Sequence, residues 1–183
     1  KYLEKIKNMK AIVTGGAGFI GSNLVDSLIE KNWEVIVIDN LSSEAHEHFY
    51  FNNKATYYEY DICDFKKIRP LFKGVNYVFH LAAESRIQPA ILNPIHAIQV
   101  NSLGTCNVLQ AAREANCDRV IYSSTSASYG LKNQPPLKET MEKDCLNPYS
   151  VSKSNGEELC KMYTDLFGLK TISFRYFNVY GNR

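Results

Sequence analysis

The sequence predicts an α/β fold built on a doubly wound parallel sheet, and three observations predict it. Short β-branched runs alternate with longer helical patterns along the 183 residues. Several of these runs are apolar at nearly every position, as strands are when helices cover both faces of a parallel sheet. A glycine-rich turn joins the first run to the first helical pattern, and β-α-β units of this kind cross over right-handedly.

In chain order the strand candidates are 10–14 (KAIVT), 34–38 (EVIVI), 56–60 (TYYEY), 76–80 (NYVFH), 119–123 (RVIYS) and 171–175 (TISFR). Helical patterns fall at 19–30, 64–72, 93–115 and 148–167. The stretches 40–55 and 131–148 are irregular, and no internal repeat or low-complexity tract interrupts the order. Residues 1–8 (KYLEKIKN) are polar and read as an N-terminal extension ahead of Met9, with one domain over 9–183.

With 45% hydrophobic and 22% charged residues the chain can bury a core. The net charge is +2 with scattered basic residues, which points to neither a nucleic-acid groove nor a membrane patch. The longest apolar runs fall well short of the ~20 residues that span a bilayer. The leading octet also lacks the apolar centre of a signal peptide. Five cysteines at 63, 106, 117, 145 and 160, without a C-x-x-C pair, read as reduced thiols of a cytoplasmic protein. His46 and His48 lie in a polar stretch where no carboxylate or Cys cluster completes a ligand set, so a metal is not expected.

The turn is "TGGAGFIG", residues 14–21. Gly16, Gly18 and Gly21 fit G-x-G-x-x-G, and Gly15, Gly18 and Gly21 fit a three-spaced variant, with Phe19 and Ile20 between the last two. Between a strand and a helix, such glycines turn the chain tightly and let backbone approach a pyrophosphate. The helix N-terminus then offers unpaired N–H groups to the phosphates. Asp39 ends the second strand, where a carboxylate accepts from the adenosine ribose hydroxyls and repels a 2′-phosphate, favouring NAD over NADP. Asp39 would also open the turn "DNLSS", in which Asn40 follows it. The fold class is therefore Rossmann-type.

Downstream, "NPYSVSK" places Tyr149 and Lys153 four apart on one helix face. A tyrosine titrates near ~10, too high for a base at neutral pH, and a neighbouring ammonium favours its phenolate. Such a phenol can take a hydroxyl proton while a hydride leaves the same carbon. The run "YSSTSASYG" follows the fifth strand at the edge where ligands bind in such sheets. Thr125 there is a candidate partner for a substrate oxygen, although hydroxyls in such a run also cap local backbone.

These segments, with "DICD", "HLAA", "NSLGT" and "RYFNVYG" in the same order, resemble the extended short-chain dehydrogenase/reductase family from about Lys10 to Arg183. Within it the chain is most similar to the nucleotide-sugar epimerase/dehydratase group and to its UDP-glucose 4-epimerases. The resemblance implies Asp61 and Ile62 beside the adenine, Leu81, Ala82 and Ala83 along the cofactor, and Asn101 behind it. It places Ser123, Ser124 and Tyr176 near the nicotinamide, and makes Thr125, Tyr149 and Lys153 the catalytic trio. Ser85, Arg86, Thr125 and Asn178 would face a UDP-sugar or other nucleotide-sugar. Plain core serves equally for Leu81, Ala82 and Ile62, a helix cap for Asn101, and a solvated loop charge for Arg86.

Family dehydratases carry an Asp-Glu pair after the catalytic threonine, and the related decarboxylases a Glu at the second of those positions. Here the residues are Ser126 and Ala127, so an epimerase passing through a transient 4-keto sugar is expected, ahead of a dehydratase or decarboxylase. The family continues into a second domain that grips the nucleotide-sugar, so this length also reads as a truncated NAD-binding module with weak turnover alone. A homodimer through a four-helix bundle is expected, seamed by Ile98, Val108 and Leu109 with Leu159, Met162 and Leu166. Those side chains could equally face the sheet.

Overall fold

The fold is described from a computed structural model, for residues 9–43 and 48–183. The proposed extension 1–8 and His46 lie outside the described residues. Six strands form one parallel sheet: β1 (Lys10–Thr14), β2 (Glu34–Ile38), β3 (Thr56–Tyr58), β4 (Tyr77–His80), β5 (Arg119–Thr125) and β6 (Thr171–Tyr176). Their order across the sheet is β3-β2-β1-β4-β5-β6. The order reverses between β1 and β4, so the connections leave in opposite directions there and open a crevice at the carboxyl edge.

Alternation along the strands divides the apolar side chains between two cores. Ala11, Val13, Val35 and Val37 face α1 (Phe19–Glu30) and pack with Val25 and Leu28. Ile12, Ile36, Val78, Val120 and Tyr122 face the opposite side. That second core is closed by α5 (Thr105–Glu114) through Val108 and Leu109 and by α6 (Pro148–Phe167) through Cys160 and Tyr163.

Two expected helices are more broken than their periodicity suggested. The 64–72 pattern is a short α2 (Phe65–Ile68) running into a 3₁₀ turn at Arg69–Phe72, where Pro70 cannot donate an amide hydrogen. The 93–115 pattern is α4 (Pro94–Ile98), a π-helical turn at Gln99–Gly104, and then α5. A further helix, α3 (Ile87–Leu92), went unpredicted because its six residues are too few to show a period. The expected dimer seam also needs correction. Val108 and Leu109 are fully buried against the sheet, so they cannot meet a partner.

Helix α6 is set by a capping box, with Asn147 accepting from the Ser150 N–H and Ser150 Oγ accepting from the Asn147 N–H. Its C-terminus ends on left-handed Gly168. Mid-helix, Gly156 leaves room for the buried Tyr122 ring, whose hydroxyl donates to the Lys153 carbonyl at 3.0 Å. A Cβ at Gly156 would overlap that hydroxyl. Alanine raises helix propensity by about 1 kcal/mol over glycine, while overpacking a buried ring costs about 1–3 kcal/mol. Gly156→Ala is therefore expected to lower the unfolding free energy in urea, against the sign that propensity alone would give.

Candidate active site

A cleft of about 1390 Å³ runs along the carboxyl edge of the sheet and is lined from the ends of all six strands. At the switch point Gly15 holds a left-handed φ of +69° with its α-carbon against the β4 exit, so a Cβ there would lie 2.7 Å from the Ala82 nitrogen. A Cβ at Gly21 would overlap the Gly15 carbonyl oxygen, and its absence lets α1 start hard against the turn. Gly18 caps α1 without any side-chain acceptor, which leaves first-turn N–H groups aimed at the cleft.

Asp39 closes the local turn read for it and lines the cleft beside the glycine turn. Its Oδ2 accepts from the Ala17 N–H at 3.0 Å, tying it to the glycine turn, and its Oδ1 accepts from the Leu41 N–H at 2.9 Å, closing the local turn. Asn40 donates to Asp61 Oδ2 at 3.3 Å, and Asp61 Oδ1 accepts from the Cys63 N–H at 2.7 Å. Ile62 lines the same end while remaining part of the core.

At the other end, Tyr149 lies in the first turn of α6 and Lys153 one turn on. Lys153 is 3% exposed, and its Nζ sits 4.5 Å from the centroid of the Tyr122 ring. Burial pushes its pKa from 10.5 down to about 8, against the raising influence of Cys160 and Glu157. Thr125 ends β5, where its Oγ1 accepts from the Ala127 N–H at 3.1 Å. Its own hydroxyl proton is therefore not spent on that bond.

Ser123, Tyr176, Ala83, Ser85, Arg86 and Asn178 also line the cleft, Ser85 and Arg86 from an exposed loop. Asn101 does not. It is 1% exposed in the π-helical turn, where it accepts from the Glu84 N–H and donates to the Glu84 carbonyl and to Ser152 Oγ. Ser152 in turn donates to the Tyr149 carbonyl. Asn101 thus ties the β4 exit loop to the turn of α6 that carries Tyr149, from behind.

Two buried polar clusters were not singled out from sequence. Glu157 accepts from Ser124, from Arg175 Nε and Nη2, and pairs with Lys143 at 3.0 Å. Burial would raise its pKa, but bonds from Arg175, Ser124 and Lys143 outweigh it and hold the carboxylate at about 2. Its position four residues after Lys153, on the same helix face, was the available signal. The second cluster centres on His80, at the head of "HLAA".

The comparisons agree with this geometry. The model of the NAD dependent epimerase/dehydratase family matches residues 11–183. The UDP-glucose 4-epimerase of Streptococcus mutans is 34% identical over 177 residues, covering 94% of this chain and 53% of that protein. The UDP-glucose 4-epimerase of Thermotoga maritima, solved with UDP-glucose, superposes with a TM-score of 0.89 at 37% identity, over 94% of this chain and 57% of that one. That of Thermus thermophilus, solved with NAD, gives 0.88 at 34%, over 96% and 57%. The chain spans about half the length of the relatives it matches.

The buried Lys153 predicts a stability signature. Its folded pKa lies below its unfolded value, so the unfolded chain binds the proton more tightly. The penalty is complete below about pH 8, shrinks as pH rises from there toward 10.5, and is gone above it. Lys153→Met is expected to raise unfolding free energy at pH 7 by about 1–3 kcal/mol. The gain over wild type should shrink steadily in denaturation curves measured between pH 8 and 10.

Proposed function

This chain belongs to the NAD-dependent epimerase/dehydratase family, and from that premise we propose that it carries the NAD site and catalytic helix of a UDP-sugar 4-epimerase acting on the UDP-glucose/UDP-galactose pair. The observation that carries the reading is the pairing, in one cleft, of an acid-flanked glycine turn with a buried lysine one helical turn from a tyrosine.

The residues fit a dinucleotide. The space that Cβ atoms would fill at Gly15 and Gly21 is left clear, and uncapped N–H groups of α1 face the cleft for the pyrophosphate. Asp39 would accept from the adenosine ribose, with Asn40, Asp61 and Ile62 toward the base and Leu81, Ala82 and Ala83 along the cofactor. Asp39 favours NAD over NADP, because a 2′-phosphate would meet its charge. When bound, NAD supplies a hydride acceptor and donor.

The chain's own residues handle protons and orientation. Tyr149 would accept the proton of the sugar 4-hydroxyl at its phenolic oxygen and return it at the end of the cycle. Lys153 stands one turn along on the same helix face and borders the same cleft. The uncommitted hydroxyl proton of Thr125 would hold the substrate oxygen in line. Ser123, Ser124 and Tyr176 would face the nicotinamide, and Ser85, Arg86 and Asn178 the nucleotide-sugar. Ser126 and Ala127 line the cleft directly after Thr125, and neither can supply the acid and base that removal of water requires.

Cytoplasm is the proposed setting, where the free thiols of Cys63, Cys106, Cys117, Cys145 and Cys160 stay reduced. None of the described helices is long and apolar enough to cross a membrane. Homodimerisation is proposed through what the helices leave exposed, chiefly Ile98 and Leu166.

Calorimetry on the 183-residue chain should show one NAD site, and a flat titration would overturn the cofactor reading. Tyr149→Phe is expected to cut interconversion of UDP-galactose and UDP-glucose by about a hundredfold or more, with NAD affinity retained. Release of water and formation of a 4-keto-6-deoxy sugar would instead assign a dehydratase.

A further inference from the structure

His80 ends β4 and is 1% exposed, enclosed by groups that leave its ring little choice of proton placement. On one side its Nδ1 lies 2.7 Å from Thr14 Oγ1, and on the other its Nε2 lies 2.9 Å from Thr105 Oγ1. The hydrogen bonds of the two threonines decide which ring nitrogen carries the proton.

Thr14 is fully buried, and its hydroxyl oxygen already accepts from the Leu81 and Ala82 N–H groups, each at 3.2 Å. The Leu81 amide is shared with the Thr14 carbonyl at 3.1 Å, but both amide hydrogens point at the hydroxyl oxygen, so its own proton is left to donate and His80 Nδ1 is the acceptor facing it. Were Nδ1 protonated, two hydrogens would meet and the hydroxyl proton would be left unpaired in the interior. That costs far more than an ordinary bond contributes. Thr105 gives the same answer independently. It donates its only hydroxyl proton to the Asn101 carbonyl at 2.6 Å, so toward His80 it can only accept. Nε2 therefore carries the hydrogen.

The donations run in one direction: from the Leu81 and Ala82 amides to Thr14, from Thr14 to Nδ1, from Nε2 to Thr105, and from Thr105 to the Asn101 carbonyl. We infer that His80, fixed as the neutral Nε2–H tautomer, is a positioning residue that pins the Leu81–Ala82 floor of the cleft and the π-helical turn of Asn101 to one another. The first end faces Gly15, where two backbones nearly touch. The second supports Asn101, which holds the Glu84 loop and, through Ser152, the turn of Tyr149. Burial, with the Lys153 charge adding to it, holds the imidazole pKa down at about 3, so the ring stays neutral at ordinary pH.

The structural arm of the test needs no ligand. In ¹⁵N-labelled chain, with His80 assigned by loss of its signals in a His80→Asn sample, long-range proton–nitrogen spectra at neutral pH should show Nδ1 bare and Nε2 protonated. The opposite tautomer, or an imidazolium, would overturn the proposal. Thr14→Val should speed exchange of the Ala82 amide proton by about tenfold, with Leu81 less affected because its N–H also reaches the Thr14 carbonyl, and unchanged exchange at Ala82 would likewise count against it.

The functional arm rests on the reading that the cleft takes NAD. His80→Leu should weaken NAD binding by about tenfold, while His80→Asn, which keeps an acceptor toward Thr14, should recover most of it. Equal affinity of His80→Leu and wild type would overturn the positioning role. Failure of wild type to bind NAD would sink the cofactor reading instead and leave the tautomer and exchange results to decide this one.

Discussion

Everything at the carboxyl edge depends on how closely the chain passes itself where β1 and β4 part. Gly15 turns with a positive φ directly against the Ala82 backbone, and Gly21 starts α1 against the Gly15 carbonyl. Two side-chain-free positions thus bring three chain segments within van der Waals reach, and the crevice begins there. Any Cβ at either place would push α1 or the β4 exit outward and tilt the uncapped helix terminus away from the cleft. Backbone geometry sets the site before any functional side chain contributes.

The reactive end rests on a different balance. Lys153 is kept inside the protein at a cost in free energy, offset in part by the Tyr122 ring beneath it and the Glu157 carboxylate further along the helix. Tyr122 reaches that place because Gly156 has no side chain, and Glu157 is held ionised by Arg175 from the neighbouring strand. Strand β6 therefore shapes the electrostatics of the helix that carries Tyr149 and Lys153.

Much of this was readable before any coordinates. The strands announced themselves because near-continuous apolar runs have few other uses, and the glycines because their spacing sat between a strand and a helix. The elements that escaped were those without a repeating signal. Ile87–Leu92 is too short to show a period, and the π-helical turn hides within a pattern that looks helical throughout. Val108 and Leu109 show the limit of amphipathic reasoning: a stripe says that a helix buries one face, and does not say against what. Among the candidate residues the motif-borne ones other than Asn101 line the cleft, whereas the polar clusters around His80 and Glu157 join residues far apart in sequence, such as Thr14 with His80 and Ser124 with Glu157. Pairings at that distance leave no local trace.

The depressed pKa of Lys153 has a chemical corollary. At pH 7 an ordinary lysine exists as the free amine in only about one molecule in several thousand, whereas a group titrating near 8 does so in roughly one in ten. A larger share of free amine at neutral pH is thus a consequence of placing this side chain inside the protein.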